Sequence, residues 1–125
     1  MKHYIEWIKR AKSDYLFLNK QVEEGQYYED YCYHAQQTAE KALKGLLIYY
    51  GTEPEFTHDI GVLLKRLKNH VEVPDYINQS IELSKYASKT RYPGDYYNVP
   101  EDEYKRAVDI AKKCLDWVES KMYSV

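Results

Sequence analysis

The sequence predicts an all-α protein, an up-and-down antiparallel helical bundle of four to five helices. Three observations carry that reading. Apolar residues recur at alternating spacings of four and three along most of the chain, no segment shows a competing strand pattern, and the breakers gather in a few short stretches. The 125 residues suit one domain, residues 1–125, built round a single core. With 44% hydrophobic and 30% charged residues but only 5 Gly and 4 Pro, the chain is neither a disordered polymer nor a loop-rich disulfide scaffold.

The first helix follows from Tyr4, Ile8, Ala11, Tyr15, Leu18 and Val22, and is expected to stop near Gly25. Tyr28, Tyr31, Ala35, Ala39, Ala42, Leu46 and Tyr50 repeat the pattern in a second long helix, closed by Gly51 and the breaker stretch GTEPEF. A shorter third helix starts around Thr57 to Asp59 and carries Ile60, Leu63, Leu64 and Leu67. Pro74 fits the first turn of a fourth, with Tyr76, Ile77, Ile81, Ser84 and Ala87 expected to face inward. That helix must end before RYPGDYYNVP, since Pro93, Gly94 and Pro100 do not fit one regular helix. The last helix opens with the acids of PEDE, which favour the positive end of a helix dipole, and continues through Tyr104, Ala107, Val108, Ala111, Leu115, Val118 and Met122.

Charge and cysteine usage narrow the function classes. The 18 basic and 20 acidic residues leave a net charge of -2, so the overall field does not draw in nucleic acid non-specifically, and any anion site is local. Cys32 and Cys114 lie far apart within helical segments, without Cys-x-x-Cys spacing, which leads us to expect a reducing, cytoplasmic setting. The first 18 residues carry charges throughout, so no signal peptide or membrane span is expected there. The 15 tyrosines, against 2 Trp and 2 Phe, suit half-buried positions where the ring packs and the hydroxyl reaches water or a partner.

One constellation stands out. His34, Gln37, Glu40, Lys41 and Lys44 all lie on the second helix, and its apolar face centres near Ala35, Ala42 and Leu46. Spacing alone favours an ordinary solvated face, with Glu40 and Lys44 paired one turn apart; the other reading is half of a site for a phosphorylated ligand. Ile48 on the outward half and the small residues Thr38, Ala42 and Gly45 at one edge point to a further packed surface, for which a second subunit is the first candidate. Arg91 offers a planar fork able to grip phosphate, or else caps a helix or pairs with Asp95. His58, at a helix start, is expected to hydrogen-bond a neighbouring loop, while His3 and His70 lack organised company. No metal is expected, and no Gly-x-Ser-x-Gly turn or phosphate-cradling glycine loop is present.

The segments HAQQTAEKALKGLL, THDIGVLL and TRYP, in that order, resemble the HEPN family, the higher-eukaryote and prokaryote nucleotide-binding domain. The resemblance spans nearly the whole chain, including Trp7 and the stretch from Ala11 to Asp14. It implies a bundle similar to the C-terminal substrate-binding domain of aminoglycoside nucleotidyltransferases. It further implies a homodimer and a minimal nucleotidyltransferase as partner in a two-component system of toxin–antitoxin type. A nucleotide such as ATP would then be a bound ligand, and no cofactor is implied. Carried over by motif, the binding residues are His34, Gln37, Glu40, Lys41, Lys44, His58, Arg91 and Tyr92. Arg91 and Lys44 would hold phosphate and Tyr92 would pack on a base or ribose. Many relatives are metal-independent ribonucleases with an Arg followed four to six residues later by a His. Here no histidine occurs after His70, and a tyrosine in its place is poorly matched to acid–base work near neutrality. The resemblance therefore favours a non-catalytic binding module over a divergent ribonuclease acting on RNA, with a structural helical adaptor as the remaining alternative. Tyr96 and Tyr97 are candidates for modification by the partner, although their spacing departs from the family pattern.

Overall fold

In the computed structural model, the structure describes residues 3–19, 21–87 and 98–123. Among these residues five helices follow one another: α1 (His3–Leu16), α2 (Tyr28–Tyr49), α3 (Ile60–Leu67), α4 (Asp75–Asn78) and α5 (Glu101–Tyr123). Two 3-10 segments extend them, Phe17–Asn19 after α1 and Gln79–Tyr86 after α4. No strand occurs among the described residues.

α2 is the axis of the bundle. α1, α5, α3 and the 3-10 segment Gln79–Tyr86 all pack against it. From Ala35 to Leu47 every residue except Lys41 is buried, so the helix is enclosed round nearly its whole circumference. The expected solvated face is thereby corrected: Gln37, Glu40 and Lys44 are 8%, 4% and 7% exposed. Small side chains at Ala35, Thr38, Ala39, Ala42 and Gly45 let neighbouring helices approach closely. A Cβ at Gly45 would lie 3.1 Å from both Trp7 Cβ and Ile8 Cδ1. The small-residue edge predicted to meet a second subunit is therefore covered by α1 of the same chain.

α1 ends at Leu16, short of the predicted Val22. The chain tightens into one 3-10 turn, which still buries Leu18, and Gly25 reverses it at φ +88° in a turn rather than at a helix end. α3 forms as expected, with Asp59 accepting a hydrogen bond from the Gly61 N–H at 2.9 Å and Ile60, Leu63, Leu64 and Leu67 buried.

α4 departs most from expectation. Only one α-helical turn forms before the backbone tightens to a 3-10 helix, whose three-residue turn buries Ile77, Ser80, Leu83 and Tyr86. Tyr76 and Ile81, predicted inside, are 45% and 47% exposed, and Ser84 and Ala87 are half-buried. In α5, Tyr104, Ala107, Ala111, Leu115, Val118 and Met122 are buried as expected, joined by Ile110, Cys114 and Trp117; Val108 is half-buried. Its outer face carries three i,i+4 ion pairs, Lys105–Glu101, Lys113–Asp109 and Lys112–Asp116, which mark a solvated surface. Both cysteines are free and buried, and burial pushes each thiol up to about 12, so neither is a nucleophile at neutral pH. No described helix is long and apolar enough to cross a membrane.

Candidate functional site

The polar residues of α2 form two triads. In the first, α1 crosses α2 and brings Asp14, 8% exposed, against its flank. Asp14 Oδ2 accepts from Lys41 Nζ at 2.6 Å and Asp14 Oδ1 lies 2.9 Å from His34 Nδ1. An ionised carboxylate can only accept, so Nδ1 carries the proton it donates. Phe17, on the 3-10 turn after α1, stacks on the His34 ring with centroids 4.1 Å apart and planes at 9°.

In the second triad, Glu40 Oε2 accepts from Lys44 Nζ at 2.9 Å and Glu40 Oε1 from His58 Nδ1 at 2.9 Å. The same Oε1 accepts from Gln36 Nε2 at 2.7 Å, and Gln36 in turn accepts from Gln37 Nε2 at 2.7 Å. Burial pushes the Glu40 carboxyl up, but hydrogen bonds from Lys44, Gln36 and His58, with the Lys44 charge, outweigh it and hold Glu40 below the usual carboxylate range. Lys44 also sits 5.6 Å from the centre of the Trp7 ring. The two triads share one design: a carboxylate with a lysine on one oxygen and a histidine on the other.

Their exposure differs sharply. The His58 side chain is 68% exposed, His34 21% and Lys41 25%, whereas Glu40 and Lys44 are 5% and 9%. His58, expected to bond a neighbouring loop, is instead anchored to α2. The structure thus gathers these residues into two clusters on α2, His34 and Lys41 round Asp14, and Gln37, Lys44 and His58 round Glu40 by way of Gln36, while Arg91, Tyr92, Tyr96 and Tyr97 lie outside the described residues. Sequence reasoning missed Asp14 and Gln36 as site members. Asp14 falls three residues after Ala11 and four before Leu18, an inward spacing at which an acid requires a partner, and that signal was available. A separate open groove of about 420 Å³, lined by Leu18, Val22, Tyr28 and Tyr104 among others, contains none of these residues. Among the described residues no cluster of three or more metal-ligating side chains occurs.

The model of the HEPN domain matches residues 4–121. The chain belongs to the HEPN family. It is similar to TT1696 from Thermus thermophilus, at 33% identity and a TM-score of 0.81 over 97% of this chain and 99% of that one. It is also similar to ST0689, an archaeal HEPN homologue, at 34% identity and a TM-score of 0.75 over 97% and 98% of the two chains. No curated protein matches it. The triads therefore sit in a HEPN bundle whose imidazoles His34 and His58 both precede the stretch that follows Arg91; His70, expected to lack organised company, is also held, with Nε2 2.8 Å from Thr52 Oγ1 and its ring stacked on Tyr50.

Proposed function

We propose that this HEPN protein is a non-catalytic nucleotide- or substrate-binding module that acts with a minimal nucleotidyltransferase in a two-component system of toxin–antitoxin type, as a homodimer in the cytoplasm. The observation that supports this reading is that His34 and His58 are each fixed against α2 by a buried carboxylate and partly open to solvent. Such pre-oriented polar groups suit recognition, because little side-chain freedom is lost on binding. Arg91 joins them on its sequence alone, as a phosphate-gripping fork.

Calorimetric titration of ATP into the purified protein, beside Arg91→Ala, tests the proposal. Saturable binding weakened at least about tenfold in the variant, roughly the loss of one charged hydrogen bond, is the expected result. A flat trace, both alone and with a co-purified nucleotidyltransferase, contradicts it. One feature favours a second reading: each imidazole is backed by a carboxylate, the arrangement that orients a general base. RNA cleavage that survives chelator but is lost in His34→Ala or His58→Ala would replace the binding reading with a ribonuclease.

A further inference from the structure

The formal charge of the two triads governs how a ligand can be held. Lys41 and Lys44 contribute two positive charges and Asp14 and Glu40 two negative ones, each lysine within 2.9 Å of its carboxylate. The ammonium groups are thus neutralised internally, and Lys44 is enclosed between Glu40 and Trp7 at 9% side-chain exposure. A phosphate reaching Lys44 would have to displace Glu40, leaving a buried carboxylate without its counter-ion.

The imidazoles are placed differently. Both point Nδ1 at a carboxylate, so each keeps Nε2 on the opposite edge of the ring. Among the described residues, no hydrogen bond reaches either Nε2. Gln36 adds a second restraint on the His58 segment, since its Nε2 lies 3.5 Å from the His58 carbonyl as well as bonding Glu40. The buried amide chain from Gln37 through Gln36 to Glu40 therefore ends in one exposed ring with a fixed heading.

We propose that the Nε2 atoms of His34 and His58 are the ligand contacts of this site, accepting hydrogen bonds from ribose hydroxyls or base N–H groups of a nucleotide, and that Asp14, Glu40, Lys41 and Lys44 are positioning residues behind them. This rests on the nucleotide-binding reading above and assigns the roles within it. It reverses the role expected for Lys44, from phosphate contact to internal counter-ion.

The two assignments differ in the sign of an observable effect. If the lysines touched phosphate, Asp14→Asn and Glu40→Gln would free them and strengthen binding of an anion. If the carboxylates orient the imidazoles, the same changes weaken it, by about tenfold, the scale on which removing a carboxylate behind a ligating imidazole acts. ATP is the probe, titrated calorimetrically into the wild type and both variants. Side-chain 15N spectra of the wild type, which need no variant to fold, give the second readout. The expected result is an Nδ1–H tautomer for both rings, displacement of both Nε2 resonances by ATP, and weaker binding in each variant. Stronger binding in a variant, or ATP bound with both Nε2 resonances unmoved, overturns the assignment and leaves the binding function standing. ATP failing to bind the wild type at all, alone or with a nucleotidyltransferase, overturns both.

Discussion

Glu40 shows how one residue holds the site together. It is 4% exposed and accepts from Lys44, Gln36 and His58 at once, so its removal would leave an ammonium and an amide buried without their acceptor. Glu40→Ala is expected to cost about 3–5 kcal/mol, the scale for breaking one side of a buried ion pair, as read from urea denaturation. Replacing both partners, in Glu40→Leu with Lys44→Met, should recover much of that loss, because no uncompensated charge remains. The pH dependence follows from the lowered Glu40 carboxyl. Its contribution is complete above the unfolded value near 4.5 and is lost as pH falls below that value through the folded one. The urea midpoint should therefore drop on acidification below about pH 4.5, and less steeply in Glu40→Gln. At the residue scale the sequence was only partly legible. It put His34, Glu40 and Lys44 on one helix, but a charged i,i+4 pair reads the same on a solvated face as in a buried one. Trp7, on a different helix, covers Lys44 and is what distinguishes them.

The helices differ in how well their pattern survived into structure. α2, α3 and α5 run close to the predicted ends because strong periodicity coincides with stop signals such as Gly51 and the Asp59 cap. α4 does not, since a chain wound with three residues per turn presents a different face from one wound with 3.6. Leu83→Ala should then cost about 2–5 kcal/mol and Ile81→Ala no more than roughly 0.5, the reverse of what a regular helix through Ile77 and Ile81 would give. Thermal or urea unfolding of the two variants decides it. The α1–α2 contact makes a parallel case. Gly45 is a poor helix former in mid-helix, yet Gly45→Leu is expected to lose about 1–3 kcal/mol because Trp7 Cβ and the Tyr4 carbonyl, 3.1 and 3.3 Å from the added Cβ, have no room to retreat. A gain in stability there would mean α1 is free to move outward.

For the whole molecule, the bundle gives a physical division between scaffold and site. α5 presents solvated ion pairs outward and an apolar stripe inward, while α2 is enclosed and sends its polar side chains toward α1 and the segment before α3. The HEPN resemblance was legible because HAQQTAEKALKGLL, THDIGVLL and TRYP stand in order along the chain: the first two carry every member of the triads except Asp14, and the third lies outside the described residues. With the small-residue edge of α2 covered by α1, a homodimer must use another surface, and equilibrium sedimentation at micromolar concentration should report twice the mass of 15.0 kDa. A monomer at every concentration would remove the dimer from the account. The central claim is that a nucleotide is held at the α2 triads, and amide and side-chain chemical-shift mapping of the 15N-labelled protein during an ATP titration tests it most directly. The account predicts saturable shifts clustered on His34, Lys41 and His58; shifts clustered instead on the groove of Leu18, Val22, Tyr28 and Tyr104, or none at all, would contradict it.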